Sequence, residues 1–173
     1  MGAIKEFFKN KSVFITGHTG FKGAWLSIWL QEMGANLTGY SLTPPTKPNL
    51  FELADLQSRM NSIIHDIRDM ESLAIAMESA NPEIIFHLAA QPLVRESYKN
   101  PIETYSTNVM GTVNVLEVAK TIHSLKSIVI VTSDKCYKNK GQENWNYRET
   151  DPLGGYDPYS SSKACSELVV DAY

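Results

Sequence analysis

The sequence is poor in the residues that make metal sites, disulfide scaffolds and membrane spans. It has two cysteines, Cys136 and Cys165, with no CxxC spacing, and four histidines without a Cys or His neighbour at ligand spacing. Neither a metal nor a disulfide is expected. No window approaches the roughly 20 apolar residues of a bilayer span, and the opening MGAIKEFFKNKS lacks the apolar core of a secretory signal. Gly2 does not begin a myristoylation signal, because Glu6 stands where that signal places Ser or Thr. These absences predict a cytoplasmic protein without a membrane partner, whose first residues are an ordinary leader. An excess of basic charge is also missing: 16 Lys and Arg against 19 Asp and Glu leave a net charge of −3, with the basic residues scattered. Nucleic acid is therefore not an expected partner.

What is present is apolar pattern. With 173 residues, 43% of them hydrophobic, the chain is long enough for one sizeable core and too short for two. Apolar runs of strand length, at Ser12–Thr16, Asn36–Tyr40, Ser62–His65, Ile84–His87 and Ser127–Thr132, alternate with segments of helical period. Alternation of this kind predicts βαβ units around a parallel sheet. The helices fall at Phe21–Met33, Met70–Ser79, Thr104–Ser124 and Tyr159–Tyr173. The first carries Trp25, Leu26, Ile28, Trp29 and Met33 and is expected to be buried against the sheet, with Gly34 just past its end. Three prolines in Thr43–Asn49 exclude a strand there. Lys138 to Pro158 is polar, aromatic and punctuated by Gly and Pro, and loops of that length are usually functional. The fold class is thus α/β, a Rossmann-type doubly wound parallel sheet that is incomplete at the C-terminal end.

The chemistry gathers where strands end. The first strand runs into Thr16-Gly17-His18-Thr19-Gly20-Phe21-Lys22-Gly23 and then directly into the apolar helix. Glycines at 17, 20 and 23 permit a tight turn, close approach of backbone to a diphosphate and close helix packing, while the helix start offers free amides to the anion. The spacing is GxxGxxG, where the general dinucleotide fingerprint has GxGxxG. The acidic residue expected about 20 positions on, for the ribose 2′-hydroxyl, is absent; Gly39-Tyr40-Ser41 ends the second strand, without an arginine either. That position therefore leaves NAD and NADP both open. After the third strand Asp66 is placed to accept from an adenine amino group, or to cap a helix. His87-Leu88-Ala89-Ala90-Gln91 offers small residues beneath a flat ring. The fifth strand ends in Ser133, Asp134 and Lys135, and Tyr159 and Lys163 stand four apart on one helical face. An ammonium beside a phenol favours the phenolate, which makes Tyr159 a candidate base.

TGxxGxxG, the Asp66 turn, HxAAQ, a strand ending in Ser133 and then YxxxK stand in the order seen in the extended short-chain dehydrogenase/reductase superfamily. Within it the chain most resembles the CDP-glucose 4,6-dehydratases, through GHTGFKGAWLS, PPTKPNLFE, QPLVRESY, TNVMGTVNVLE, TSDKCY and GGYDPYSSSK. The resemblance implies a lyase that converts CDP-D-glucose to CDP-4-keto-6-deoxy-D-glucose and water. It also implies an NAD that ends in its starting redox state, and a product used in deoxysugar synthesis for surface polysaccharides such as O-antigen lipopolysaccharide.

Carried over residue by residue, the resemblance implies that Tyr159 deprotonates the sugar 4-hydroxyl, Lys163 holds the nicotinamide ribose and assists Tyr159, and Ser133 hydrogen-bonds the same hydroxyl. Asp134 would protonate the departing 6-hydroxyl. Lys135 stands where most such dehydratases have Glu, which fits the CDP-glucose branch and leaves the base for the C5 proton open. Gly17, His18, Gly20, Phe21, Lys22 and Gly23 would contact the diphosphate region. Asp66 and Ile67 would serve the adenine, and Ala89, Ala90 and Gln91 the nicotinamide side. Asn108 would support the active site, and Arg95 would contact substrate. Such enzymes continue for about 150 residues after YxxxK. Residues 1–173 are accordingly expected to be one NAD-binding domain whose C-terminal substrate domain is absent. A dehydratase or epimerase for another nucleotide sugar, or a non-catalytic NAD-binding module, are the alternatives. A homodimer packed through Thr104–Ser124 and Tyr159–Tyr173 is also expected.

Overall fold

The computed structural model describes residues 2–139, 141 and 146–173; the expected functional loop Lys138–Pro158 lies partly outside the described residues. Its strands are β1 (Ser12–Thr16), β2 (Asn36–Ser41), β3 (Asn61–Ile64), β4 (Ile84–His87) and β5 (Ser127–Ile130), all paired in parallel in the order β3-β2-β1-β4-β5. The helices are α1 (Gly2–Phe8), α2 (Phe21–Glu32), α3 (Leu50–Leu53), α4 (Leu56–Arg59), α5 (Met70–Ala80), α6 (Val94–Lys99), α7 (Pro101–Tyr105), α8 (Gly111–Ala119) and α9 (Pro158–Ala172). A π turn, Ser106–Met110, joins α7 to α8, and a 3-10 turn, Asp134–Cys136, follows β5. This is the expected doubly wound, Rossmann-type sheet.

Side chains of a strand alternate between faces, and β1 shows how this builds two cores. Val13 and Ile15 face α2, where they meet Leu30, Met33, Leu37 and Ile84. Phe14 faces the other way and packs with Tyr40, Ile85, Leu73, Met77, Val115 and Val118. Because β1 is covered on both faces, its apolar run needs no polar alternation. Its neighbours β2 and β4 lie on opposite sides and wind in opposite directions, so a crevice opens beyond the C-terminal ends of β1 and β4.

Four sequence expectations change. The first residues, expected as a plain leader, form the exposed helix α1. The helix expected at Thr104–Ser124 starts earlier, because Pro101 suits a first helical position, and it ends at Ala119. Its middle is the π turn, which has no signal in hydrophobic period. Helix α2 is rich in large apolar residues yet only half buried: Gly23, Ala24, Ser27 and Leu30 take the sheet side, leaving Trp25 and Trp29 54% and 53% exposed. Phe21 is 75% exposed at its start. Strand β5 stops two residues early, although Val131 N still donates to His87 O at 3.0 Å.

Phe14 is fully buried at the junction of strand and helices. Phe14→Ala is expected to cost about 3–5 kcal/mol of folding stability, read as a lower urea midpoint.

A candidate dinucleotide site at the switch point

The crevice is built by two turns held in close contact. Gly17 leaves β1 with φ of +75°, a conformation that suits glycine, and a Cβ there would lie 2.8 Å from Ala89 N. The Thr16 hydroxyl oxygen accepts from both Leu88 N and Ala89 N at 3.1 Å and bonds His87 Nδ1 at 2.7 Å. The turn after β4 is thereby fastened to the turn after β1. Gly23 is equally constrained, because a Cβ would fall 2.1 Å from Gly17 O, so α2 can start this close to β1 only without a side chain there.

Gly20 differs. Its φ of −77° suits any residue, and a Cβ would meet only Gly17 O at 3.4 Å. The protein itself hardly needs glycine here; a side chain would instead fill the open space in front of the helix. No side chain caps α2, so the first amides of the helix stay available to an anion. Lys22 stands in the first turn, close enough to act on the Lys163 ammonium across the crevice. Bare backbone, free amides and the Lys22 cation together fit a dinucleotide diphosphate.

The catalytic candidates come from two elements. Asp157 caps α9 by accepting from Ser160 N at 2.9 Å, Pro158 occupies its first turn, and Tyr159 and Lys163 follow one helical turn apart. Lys163 is 6% exposed, and its Nζ donates to Val131 O at 3.3 Å. Burial lowers its pKa to about 8, Glu167 opposing this and Lys22 adding to it. Just beyond β5, Ser133 caps the 3-10 turn, accepting from Lys135 N at 3.2 Å and donating to Asp134 Oδ1 at 3.1 Å. Asp134 and Lys135 are exposed at the mouth of a cleft whose wall includes the stacked rings of Tyr137 and Tyr147, 5.0 Å apart.

Asn108 ties these parts together. Its Oδ1 accepts from Gln91 N at 2.8 Å, and its Nδ2 donates to Gln91 O at 3.2 Å and to Ser162 Oγ at 2.8 Å. The Gln91 side chain is spent on Leu93 and Thr104, which leaves Ala89 and Ala90 as the smooth part of the turn. Arg95 is exposed on α6.

Three expected site residues sit differently from a simple reading of their side chains. The His18 ring is buried beneath β2: a Cβ on Gly39 would touch it at 2.4 Å, its Nε2 bonds Ser62 Oγ at 2.7 Å, and Phe51 meets it edge-on. Ile67 belongs to the core. Both offer a ligand backbone only. The Asp66 carboxylate is held by the Arg68 guanidinium, which lowers its pKa; the cap of α5 is Asp69 instead, accepting from Ser72 N at 3.1 Å. Residues that sequence reading passed over are Thr16, Ser162 and Glu167. A hydroxyl ending a strand and a carboxylate one turn beyond YxxxK were the signals available.

The glycine turn at the switch point of a parallel sheet defines a Rossmann-type dinucleotide-binding domain. The chain belongs to the GDP-mannose 4,6 dehydratase family, whose profile matches residues 14–173. It is 59% identical over 169 residues to the CDP-glucose 4,6-dehydratase of Salmonella typhimurium, covering 98% of this chain and 47% of that one. The chain therefore spans about half the length of that relative. Among solved structures, the fold resembles UDP-glucose 4-epimerase from Thermotoga maritima with UDP-glucose, with a TM-score of 0.82 and 22% identity over 92% of this chain and 50% of that one. It also resembles UDP-glucose 4-epimerase from Brucella ovis in complex with NAD, with a TM-score of 0.74 and 23% identity over 95% of this chain and 47% of that one.

Two buried histidines make stability pH-dependent. Burial lowers His18 to about 4, partly opposed by the Tyr40 backbone, and lowers His87 to about 3, with Lys163 adding to it. Each is neutral when folded and protonates near 6.5 when unfolded, so its contribution is complete above that pH and is lost as pH falls toward its folded value. As pH falls from 6.5 toward 4, each should remove on the order of 1 kcal/mol per pH unit. Urea midpoints across this range should fall, and His18→Gln should make the fall shallower.

Proposed function

We propose that this chain is the NAD-binding part of a CDP-glucose 4,6-dehydratase. The observation that carries the reading is the Lys163 ammonium, buried one helical turn from Tyr159 and near enough to Lys22, in the first turn after Gly20, to feel its charge. The likeness to the Salmonella dehydratase supports the substrate. No helix among the described residues is long and apolar enough to cross a membrane; the likeness to a nucleotide-sugar dehydratase supports a cytoplasmic location.

NAD would rest on Gly17, Gly20, Lys22 and the first amides of α2, with adenine toward Asp66 and the backbone of Ile67 and the nicotinamide toward Ala89 and Ala90. When bound, it would supply reversible hydride chemistry between C4 and C6 of the sugar. Tyr159 takes the proton of the 4-hydroxyl, with Ser133 hydrogen-bonded to the same oxygen. The Lys163 ammonium favours the negative charge that Tyr159 acquires. Once C4 is a ketone, the C5 proton is acid enough to be removed, and Lys135 is the nearest candidate in sequence for that base. Asp134 protonates the 6-hydroxyl so that it leaves as water, and the base that took the C5 proton gives a proton back to C5 when C6 is reduced. Arg95 lies on the substrate side. The residues 1–173 form one cofactor domain, and the nucleotide-sugar groove is completed by sequence outside them.

Calorimetric titration with NAD and assay of CDP-D-glucose turnover, followed by absorbance of the 4-keto product in base, test this. Binding is expected, and Gly20→Ala should weaken it at least about tenfold while leaving thermal stability nearly unchanged, since the added methyl meets little protein. Where turnover is seen, it should fall as pH rises through about 8, as Lys163 loses its proton, and Tyr159→Phe should abolish it without loss of NAD binding. A chain that binds no NAD would defeat the proposal.

A homodimer formed through the exposed faces of α7, α8 and α9 is part of the same reading. Ile102, Met110 and Leu168 are 85%, 52% and 59% exposed. Sedimentation should show a mass that rises with concentration toward twice the chain mass; a constant monomer mass would exclude it.

A further inference from the structure

Glu167 has no part in the mechanism above, yet it lies one helical turn beyond Lys163 and is only partly exposed. A half-buried carboxylate must be paired or hydrogen-bonded to offset its desolvation. Its partner is the Thr132 hydroxyl, which donates to Glu167 Oε1. Thr132 lies between Val131, whose carbonyl accepts from Lys163 Nζ, and Ser133, which caps the 3-10 turn. Two successive residues after β5 are therefore fastened to two successive turns of α9. We propose that Glu167 is a positioning residue: its carboxylate clamps Thr132, so that Ser133 is held in register with Tyr159, and it is the negative charge that the buried Lys163 ammonium faces.

The charges acting on that ammonium are consistent with this. Burial disfavours it, Lys22 of α2 opposes it, and Glu167 supports it. His87, at the end of β4, is held neutral. The 3-10 turn brings Asp134, Lys135 and Cys136 to the same region, and burial raises the Cys136 thiol, with Glu167 adding to that. The π turn contains no titratable side chain. On the remaining packed helices, Glu117 of α8 is taken up by Lys120 and Tyr173, and Glu96 of α6 by Lys99 and Asn100. Glu103 of α7 acts on Arg68.

The inference rests on reading Tyr159 and Lys163 as the catalytic pair, but its test does not need turnover. The titration of Lys163 is followed through its 13Cε resonance in the chain carrying labelled lysine, assigned with Lys163→Arg. Backbone amide exchange at Val131–Ser133 is measured alongside. Glu167→Gln keeps an acceptor for Thr132 and removes the charge, so the Lys163 midpoint should move down from about 8 by about half a unit or more, with exchange little altered. Thr132→Val keeps the charge and removes the clamp, so exchange should quicken about tenfold or more while the midpoint stays. Glu167→Asp, which keeps the charge on a shorter arm, should restore the midpoint and not the protection. If Glu167→Gln fails to fold, Glu167→Ala, which also removes the charge, decides the midpoint and Thr132→Val the exchange. An unmoved midpoint in Glu167→Gln, or unaltered exchange in Thr132→Val, overturns the inference. Absence of NAD binding in the unaltered chain, with these responses intact, would instead overturn the proposed function alone.

Discussion

Everything at the crevice depends on how closely the turn after β1 approaches the turn after β4. Two backbones can come this near only where one lacks a side chain, which is the office of Gly17, and only where the amides so enclosed find an acceptor, which is the Thr16 hydroxyl. The contact fixes the glycine turn relative to Ala89 and Ala90. Asn108 then extends the same rigid unit to the helix of Tyr159 and Lys163. The glycine turn, the Ala89–Ala90 turn, Asn108 and the Tyr159–Lys163 helix thus come from four distant stretches of chain and share one hydrogen-bonded frame.

Much of the frame was legible in the sequence because it follows from local rules. A strand buried on both faces reads as an unbroken apolar run, and β1 and β4 are found at the expected residues. Gly34 ends α2 in a left-handed conformation, as a glycine past a helix end suggests. The glycine-spaced turn likewise falls between β1 and α2, and Tyr159 and Lys163 fall one turn apart on α9.

What escaped the sequence is what tertiary contact decides. Nothing local distinguishes a histidine that faces a ligand from one that slides under a strand; His18 goes inward because Gly39 leaves a ring-sized gap and Ser62 offers a partner. The tryptophans of α2 look like core residues, but the sheet accepts only one stripe of that helix, and small residues occupy it. Asp66 and Asp69 are equally good caps by composition, and the choice falls to Asp69 because Arg68 has taken Asp66. Glu167 gains its importance from Thr132, which lies 35 positions earlier.

The π turn at Ser106–Met110 also bears on how this stretch could tolerate change. One surplus residue in a helix turns everything on one side of it about the axis by roughly a quarter-turn or more relative to the other. Thr104 can therefore look toward Gln91, while Val115 and Val118, on what is otherwise one rod, look into the core. The loosened ladder also lets the Asn108 carbonyl receive Thr112 and Ser166. Loss of a single residue here would leave the composition almost untouched and the rod straight, but it would aim one half of its contacts at the wrong neighbours. The phase of this helix, more than the identity of any one side chain in it, keeps the two halves of the site facing each other.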